Sequence, residues 1–379
     1  MCVDAEIVAT WAQFLSLCMI SLPVMYWFYC FINQKKFRRQ EDKRSNGKYN
    51  EFCKTTIFLP LRNEYENVKR KLEQVISEIK THRNVELLII ESKSSDGTRE
   101  LCAKIMEDSD IAKDRWEILS LEKIGKTVAV NEAIEKVKEG LVIMMDVDTE
   151  SSGWLTEIWS SMEDEKIAVL SGLEVESGSD NARKAYKKNS DIIRTSESEN
   201  GSTPVLEGGL ICWRAKALSG FTLDESCNAD DAQLAIEGIR RGYRSVTVSG
   251  IRFRDTRGGE YDFRRSVRRS QGLSRVLLKN SDILLKNIKF RDKITFMNAI
   301  FTYIFVPWFV FIFCFISPYF LINFDLGNLS MQDSWNLFFY SMVFLSPQGR
   351  ALGWGTVVSL FSHTVFIFGK SYSIWDPGK

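Results

Sequence analysis

Leu141-Val142-Ile143-Met144-Met145-Asp146-Val147-Asp148 decides how this chain reads: five apolar residues closed by two carboxylates spaced i, i+2. An apolar run of that length reads as a buried strand. In an open α/β sheet, ligands sit just past the carboxyl ends of strands. Two hard oxygen ligands at such an end suit a divalent cation held against a phosphorylated substrate. The competing reading is a turn and helix cap, because Asp accepts hydrogen bonds from nearby amides. Thr149, Ser151 and Ser152 would serve such a cap.

Outward from that strand, apolar runs alternate with amphipathic stretches. Thr56 to Leu59, Val85 to Ile90 and Trp116 to Ser120 read as strands; Glu66 to Lys80, Gly97 to Met106, Asn131 to Lys138 and Ala232 to Arg241 read as helices. Such alternation predicts an α/β fold with a mostly parallel sheet and right-handed crossovers. Every strand end is then a potential ligand contact.

Composition narrows the chemistry. In 379 residues, Lys plus Arg number 50 and Asp plus Glu 49, so the near-neutral chain lacks the charge of a general nucleic-acid binder. Eight cysteines contain no C-x-x-C pair, which supports neither a zinc site nor a disulfide framework. Only His82 and His363 are present, so acid/base work falls to carboxylates.

Ile7 to Ile32 is almost uninterrupted apolar sequence, too long for a signal-peptide core, and reads as a membrane anchor. Lys35, Lys36, Arg38, Arg39, Lys43 and Arg44 follow it and put the next domain in the cytoplasm by the positive-inside rule. Ala299 to Ile322 predicts a second span, Ala351 to Gly369 a weaker third, and Trp335 to Leu345 is too short to cross. Arg275 to Lys293 sets apolar residues at near-helical spacing among lysines and arginines, the pattern of a helix lying in the membrane surface or of a solvated helix packed on the protein. The expected organisation is an anchor over 1–33, a basic linker over 34–54, a catalytic domain over 55–274, an amphipathic interfacial helix over 275–298 and a membrane region over 299–379.

The strand ends carry a consistent set of polar residues. Pro60-Leu-Arg-Asn63-Glu64 closes the first, Glu91-Ser-Lys-Ser-Ser-Asp96-Gly97-Thr98 the second, and Gly125-Lys126 approaches the helix before Asp146. Asn63, Glu64, Glu91 and Asp96 suit a base and ribose, and Lys126 supplies charge for a diphosphate. Gly125-Lys126-Thr127 is not a P-loop, because position 120, where that motif needs its first glycine, is serine.

The series PLRNE (60–64), SKSSDGT (92–98), GKTVAVNEAI (125–134), MMDVD (144–148), EGGLICWR (207–214), ADDAQLAIEGIRRGYR (229–244) and RRSVRRSQG (264–272) resembles the membrane-integrated branch of glycosyltransferase family 2, with its Rossmann-like GT-A fold. That branch includes hyaluronan and cellulose synthases and single-sugar transferases that act on lipids. The resemblance implies that Pro60, Asn63, Glu64, Glu91 and Asp96 line the nucleoside and Lys126 the diphosphate. It implies that Asp146 meets the nucleotide-sugar, that Asp148 with Asp146 holds Mg2+ or Mn2+, and that Asp231, beside Asp230, is the general base. Arg265, Arg268 and Arg269 share a helix face and would reach the pyrophosphate; a basic membrane-surface cluster is the competing account. Gly208 and Gly209 would let backbone approach the sugar or acceptor, or simply turn the chain. Trp213 would stack on a sugar or fill the core.

These expectations amount to an inverting, metal-dependent transferase that moves a sugar from a UDP- or GDP-linked donor to a lipid-linked or glycan acceptor at the membrane. A processive polysaccharide synthase is the alternative. The processive signature Gln-x-x-Arg-Trp is replaced here by Arg-Arg-Ser-Gln-Gly, which puts polymer synthesis in doubt. A third reading, a scaffold that kept the fold and lost catalysis, sits poorly with the intact Asp146, Asp148 and Asp231.

Overall fold

Runs of branched apolar residues become strands, and 3.6-residue stripes become helices that cover them. A computed structural model describes residues 5–44, 54–151, 153–175, 181–256, 263–322 and 345–368, with 334, 337 and 341. In chain order the elements are α1 (Ala5–Arg44), β1 (Thr55–Leu61), α2 (Tyr65–Thr81), β2 (Val85–Ser92), α3 (Thr98–Glu107), β3 (Trp116–Leu121), α4 (Lys126–Lys136), β4 (Leu141–Met145) and β5 (Thr149–Glu150). They continue as α5 (Trp154–Met162), β6 (Ile167–Glu174), α6 (Asn181–Asn200), β7 (Leu210–Arg214), α7 (Asp230–Arg240), β8 (Arg244–Asp255), α8 (Phe263–Lys279), α9 (Phe290–Ile300), α10 (Val306–Ile322) and α11 (Pro347–Phe368).

The strand order is β3-β2-β1-β4-β7-β6-β8-β5. The first four strands are parallel, as the alternation of elements requires. Beyond β4 the sheet is mixed: β7 runs antiparallel to both β4 and β6, β8 runs parallel to β6, and the short β5 pairs antiparallel with β8. The sequence pattern could not show this, because a strand buried on both faces reads the same in either direction. Pro60 lies inside β1, where a missing N–H is normally costly. It is tolerated because pairing with β4 stops at Phe58 and only β2 still flanks the strand.

Two apolar layers sandwich the sheet. One packs Val68, Leu72, Val75 and Ile79 of α2 with Trp154, Ile158 and Trp159 of α5 against one face; the other packs α4, α7 and Leu218 against the opposite face. Trp213 belongs to the second layer, fully buried and edge-on to Phe58, so it is core and no sugar platform. A third cluster joins α7 to Val276 and Leu277 of α8 and Phe296 of α9.

Among the described residues, two helical stretches are long and apolar enough to cross a membrane, Ile7–Asn33 and Phe290–Ile316. Only 17% and 28% of their apolar windows are buried, which is the profile of lipid-facing helices rather than core ones. The expected third span forms α11 as far as Phe368 but falls short of that measure, diluted by Gly353, Gly355, Ser359, Ser362 and His363. The basic stretch after residue 33 continues α1 through Arg44, consistent with its good helix formers.

The single interfacial helix expected over 275–298 is instead three pieces. α8 ends at Lys279, a 3-10 turn covers Ser281–Leu285, and α9 begins at Phe290. Asn280 stops α8 by turning its own N–H and side-chain amide to the Val276 carbonyl, and Asp282 is drawn to Arg240 at 2.6 Å. The segment 335–345 lies largely outside the described residues.

Candidate active site

Lys126 is the first residue of α4, five residues earlier than the start expected at Asn131, and its side chain reaches across the end of β4. Its Nζ stands 2.8 Å from Asp146 Oδ1 and 3.3 Å from Asp230 Oδ2, with only 17% of the side chain exposed. Burial alone would lower the lysine pKa, but the two carboxylates outweigh it and the ammonium is held well above its usual value. Asp146 follows β4, where its N–H donates to Gly209 O at 3.1 Å and extends the ladder with β7. Asp230 and Asp231 open α7, where a helix N-terminus favours negative charge.

Asp231 shares the cleft. Burial, and then the adjoining Asp230 charge, push its carboxyl above the usual aspartate range, while the Ala232 N–H at 2.8 Å and Lys126 pull the other way. A Cβ on Gly208 would stand 3.4 Å from Asp231 Oδ2, so this glycine backs onto the carboxylate. Gly209 is fixed by packing: a Cβ there would lie 2.5 Å from the Phe253 ring and 3.0 Å from Thr149 Oγ1. The sequence-predicted Lys126, Asp146, Gly208, Gly209, Asp230 and Asp231 therefore come together.

Asp148 is 8% exposed beside them, and its carbonyl accepts from Thr256 N at 2.8 Å and Thr256 Oγ1 at 3.0 Å. Among the described residues no group of three or more His, Cys, Asp or Glu forms a closed metal cage. The carboxylates that would serve are Asp148 and Asp146, the latter with one oxygen on Lys126. That open, all-oxygen set fits Mg2+ or Mn2+, which usually take one or two protein carboxylates and complete their shell with water and substrate phosphates.

Asn63, Glu64, Glu91 and Asp96 form a second group at the ends of β1 and β2, and they are busy holding two loops together. Asn63 takes a left-handed conformation (φ 51°), receives Ser95 N on its Oδ1 at 3.0 Å, and donates its own N–H to Ser94 Oγ at 3.0 Å. Asp96 accepts from Tyr65 N at 3.1 Å and Thr98 N at 3.0 Å. Glu91 accepts from Ser94 N, and Glu64 accepts from the Asn67 amide at 3.2 Å. Their first task is to shape a rigid rim; any contact with a nucleoside comes on top of that.

Arg265, Arg268 and Arg269 lie on α8 at seven, four and three residues before Gly272, on the same helical face. Gly272 presses that face onto the loop leading into Asp230: a Cβ would fall 2.9 Å from Asn228 C and 3.2 Å from Ala229 N. α11 braces the other end of α8 through Phe263 against Trp354 and Phe361 and through Ser270 Oγ to Ser362 Oγ at 2.9 Å.

Two features escaped sequence reasoning. Glu207, just before Gly208, pairs with Lys187 at 2.7 Å and with Arg194, both from α6, and Lys187 also pairs with Glu174 at 2.9 Å. Burial raises the Glu207 carboxyl, but Arg194 and then Lys187 outweigh it and hold it at about 2. Lys71, 2% exposed, donates to Thr149 O, and Gln74 one turn on donates to Ser151 O, so α2 clamps the strand that follows Asp148. Burial lowers the Lys71 ammonium to about 8 against the pull of Asp146, Asp148 and Glu150. The signal was present: Lys71 sits on the apolar stripe of α2, between Val68 and Val75.

Residues 56–219 match the family described as Glycosyl transferase family 2. A poly-beta-1,6-N-acetyl-D-glucosamine synthase of Staphylococcus aureus is 24% identical over 281 residues, 70% of this chain, and the chain spans 66% of that relative's length. A mannosyltransferase from Pyrobaculum calidifontis, solved with GDP-Man and Mn2+, superposes with a TM-score of 0.75 at 16% identity over 95% of this chain and 100% of its own. At that identity the likeness establishes the fold, and the fold is GT-A.

Gly272→Ala should uncouple activity from stability. Alanine would favour the helix by about 1 kcal/mol while crowding the Asn228–Ala229 backbone at a cost of about 1–3 kcal/mol. The melting temperature should change little, and kcat should fall about tenfold or more because the loop leading into Asp230 and Asp231 is displaced. Unchanged kcat would show that the contact does not set the site.

Glu207→Gln removes the counter-charge of two buried cations and should destabilise the domain by about 3–5 kcal/mol. The folded pKa of Glu207 lies below its ordinary 4.5, so its contribution is present above about pH 4.5 and lost as pH falls through about 2. Acid unfolding of the variant should accordingly depend less steeply on pH over that window than that of the parent.

Proposed function

We propose, from a chain that belongs to the family 2 glycosyltransferases and carries their GT-A fold, that the protein adds a sugar from a UDP- or GDP-linked donor to a lipid-linked or membrane-proximal glycan acceptor, with inversion. The observation that carries this reading is Lys126 bound between Asp146 and Asp230 with Asp231 alongside: a cation aimed at a leaving diphosphate and a carboxylate of raised proton affinity in one cleft.

In this reading the acceptor hydroxyl attacks the anomeric carbon from the side opposite the diphosphate, and Asp231 takes its proton. The raised pKa makes Asp231 a stronger base than an ordinary aspartate. Lys126 and the arginine face of α8 stabilise the negative charge that develops on the departing diphosphate. Asp148 and Asp146 would hold a Mg2+ or Mn2+ ion, whose chemistry there is to neutralise diphosphate charge. Gly208 leaves room beside Asp231 for the acceptor. The two apolar helices support a cleft near a membrane surface, and the basic stretch after residue 33 favours the cytosolic side for the catalytic domain.

The second reading, processive synthesis, draws on the polysaccharide synthase among the relatives. Supplying purified protein in native lipid with a panel of nucleotide-sugars and weighing the products by mass spectrometry decides between them. A single added hexose is expected; a ladder of products would establish processivity.

Asp231→Asn should bind donor normally and lower kcat by about 10²–10⁴-fold, the usual value of a general base. In the parent enzyme kcat/KM should fall as pH drops through the Asp231 pKa, and that acidic limb should lie above the ordinary aspartate value of 3.8. A variant with parental kcat would remove Asp231 from the reaction.

A further inference from the structure

A cavity of 480 Å³ opens beside the segment that carries Asp148, lined by Arg70, Lys71 and Gln74 of α2, by Val147, Thr149, Glu150 and Ser151, and by Arg252, Phe253 and Arg254 of β8. Its size falls in the range of about 300–1,000 Å³ that holds small-molecule ligands. Val147 and Thr149 both line it, so its wall is the backbone on either side of Asp148.

Its charge is lopsided. The lining holds four cationic residues and one carboxylate, Glu150, which is paired with Arg70 at 3.0 Å, while Lys71 also lies within reach of the charges of Asp146 and Asp148. Arg252 and Arg254 are two residues apart on β8 and project from the same face. Among the described residues Arg254 has no ion-pair partner, and the Arg252 guanidinium spends one donor on Ser249 O at 3.0 Å. Lys71 carries three N–H donors; it directs one to Thr149 O and a weak one to Gln74 Oε1 at 3.4 Å. Helix α2, strand β5 and strand β8 thus bring forked and point donors to one concavity, with Arg252 and Arg254 exposed on the β8 side.

We propose that this cavity is a second anion subsite, which binds a phosphoryl group beside the metal-binding segment and apart from the diphosphate side held by Lys126. Arginine pairs and a lysine match the tetrahedral, multiply charged oxygens of a phosphoryl group better than a single planar carboxylate. Placement favours an acceptor as its source. Arg252 lies near enough to Asp191 of α6 for its charge to act there, and α6 packs against α1 and α11. The cavity therefore adjoins the segment that carries Asp148 and, through Arg252, the helix that packs against α1 and α11, a place suited to the phosphoryl head of an amphiphile. Free phosphate shares the chemistry and is the other source. The inference rests on the transferase reading only for the identity of that source; the subsite itself is read by binding.

The test uses the full chain in lipid nanodiscs, with EDTA present and no donor, titrated calorimetrically with inorganic phosphate and with a short-chain alkyl phosphate monoester. The Arg252→Ala/Arg254→Ala double variant, altered only at exposed side chains, should lose roughly tenfold or more in affinity for the probe, as expected for charge-assisted hydrogen bonds. Lys126→Ala should retain it. Tighter binding of the alkyl phosphate identifies the acceptor as source, and equal binding identifies free phosphate. Parental affinity in the double variant, or loss of affinity in Lys126→Ala alone, overturns the subsite. Turnover of a nucleotide-sugar by the parent protein is scored separately. Its absence counts against the transferase reading, while an active enzyme whose phosphate affinity ignores Arg252 and Arg254 counts against the subsite alone.

Discussion

A lysine ammonium buried between two carboxylates organises this protein. Lys126 at the start of α4 could not stay charged in its position without Asp146 and Asp230, since burial disfavours the ion and only paired charges offset it. Asp146 comes from the end of a parallel strand and Asp230 from the start of a helix far along the chain. Meeting both fixes where α7 begins, and Asp231, the next residue, is carried into the cleft. The same pair then sets its chemistry: Asp230 is a like charge that helps raise the Asp231 proton affinity, and Lys126 limits the rise. One ion pair thus fixes a cation at the end of β4 and shifts the proton affinity of the carboxylate beside it.

The surrounding ionic chain supports that centre from the membrane side. Glu207 is held by Arg194 and Lys187 of α6, and α6 meets α1 through Tyr26 Oη, which donates to Glu197 at 2.9 Å. Buried ion pairs add little net stability over apolar packing. What they do here is allow one arrangement only, because any shift of α6 leaves two cations without their carboxylate. The Gly208–Gly209 turn that backs Asp231 is therefore tied to the same helix that packs against α1. Helix α1 and the Asp231 carboxylate are thus linked through α6, and moving one without the other carries an electrostatic cost.

Much of the parallel half was legible. Strands β1 to β4 and helices α2 and α3 follow from apolar runs and 3.6-residue stripes, and the observed ends differ by a residue or two. α4 begins at Lys126, after Gly125, five residues before the Asn131 start read from the sequence, and ends at Lys136 rather than Lys138. The antiparallel β7 was invisible because hydrophobicity carries no direction. The site residues were legible as polar groups at strand ends and, through the family's motifs, as roles. Their couplings were not: nothing local links Glu207 to α6, or Lys71 to the strand after Asp148, and both pairings exist only once the sheet has closed.

The rim at the ends of β1 and β2 shows why motif residues should not be read as ligand contacts alone. Asn63 and Lys93 both hold left-handed backbone conformations, which cost a non-glycine residue of order 1–3 kcal/mol each. The bonds from Ser94, Ser95, Tyr65 and Thr98 to Glu91, Asn63 and Asp96 offset that strain by satisfying donors that the two helix starts would otherwise leave open. The rim is thereby set before a substrate arrives. Polar groups already fixed in place need no reorganisation when they meet charge or a sugar ring. A chain that binds a nucleotide at strand ends must first hold those ends still, and the same short polar side chains accomplish both.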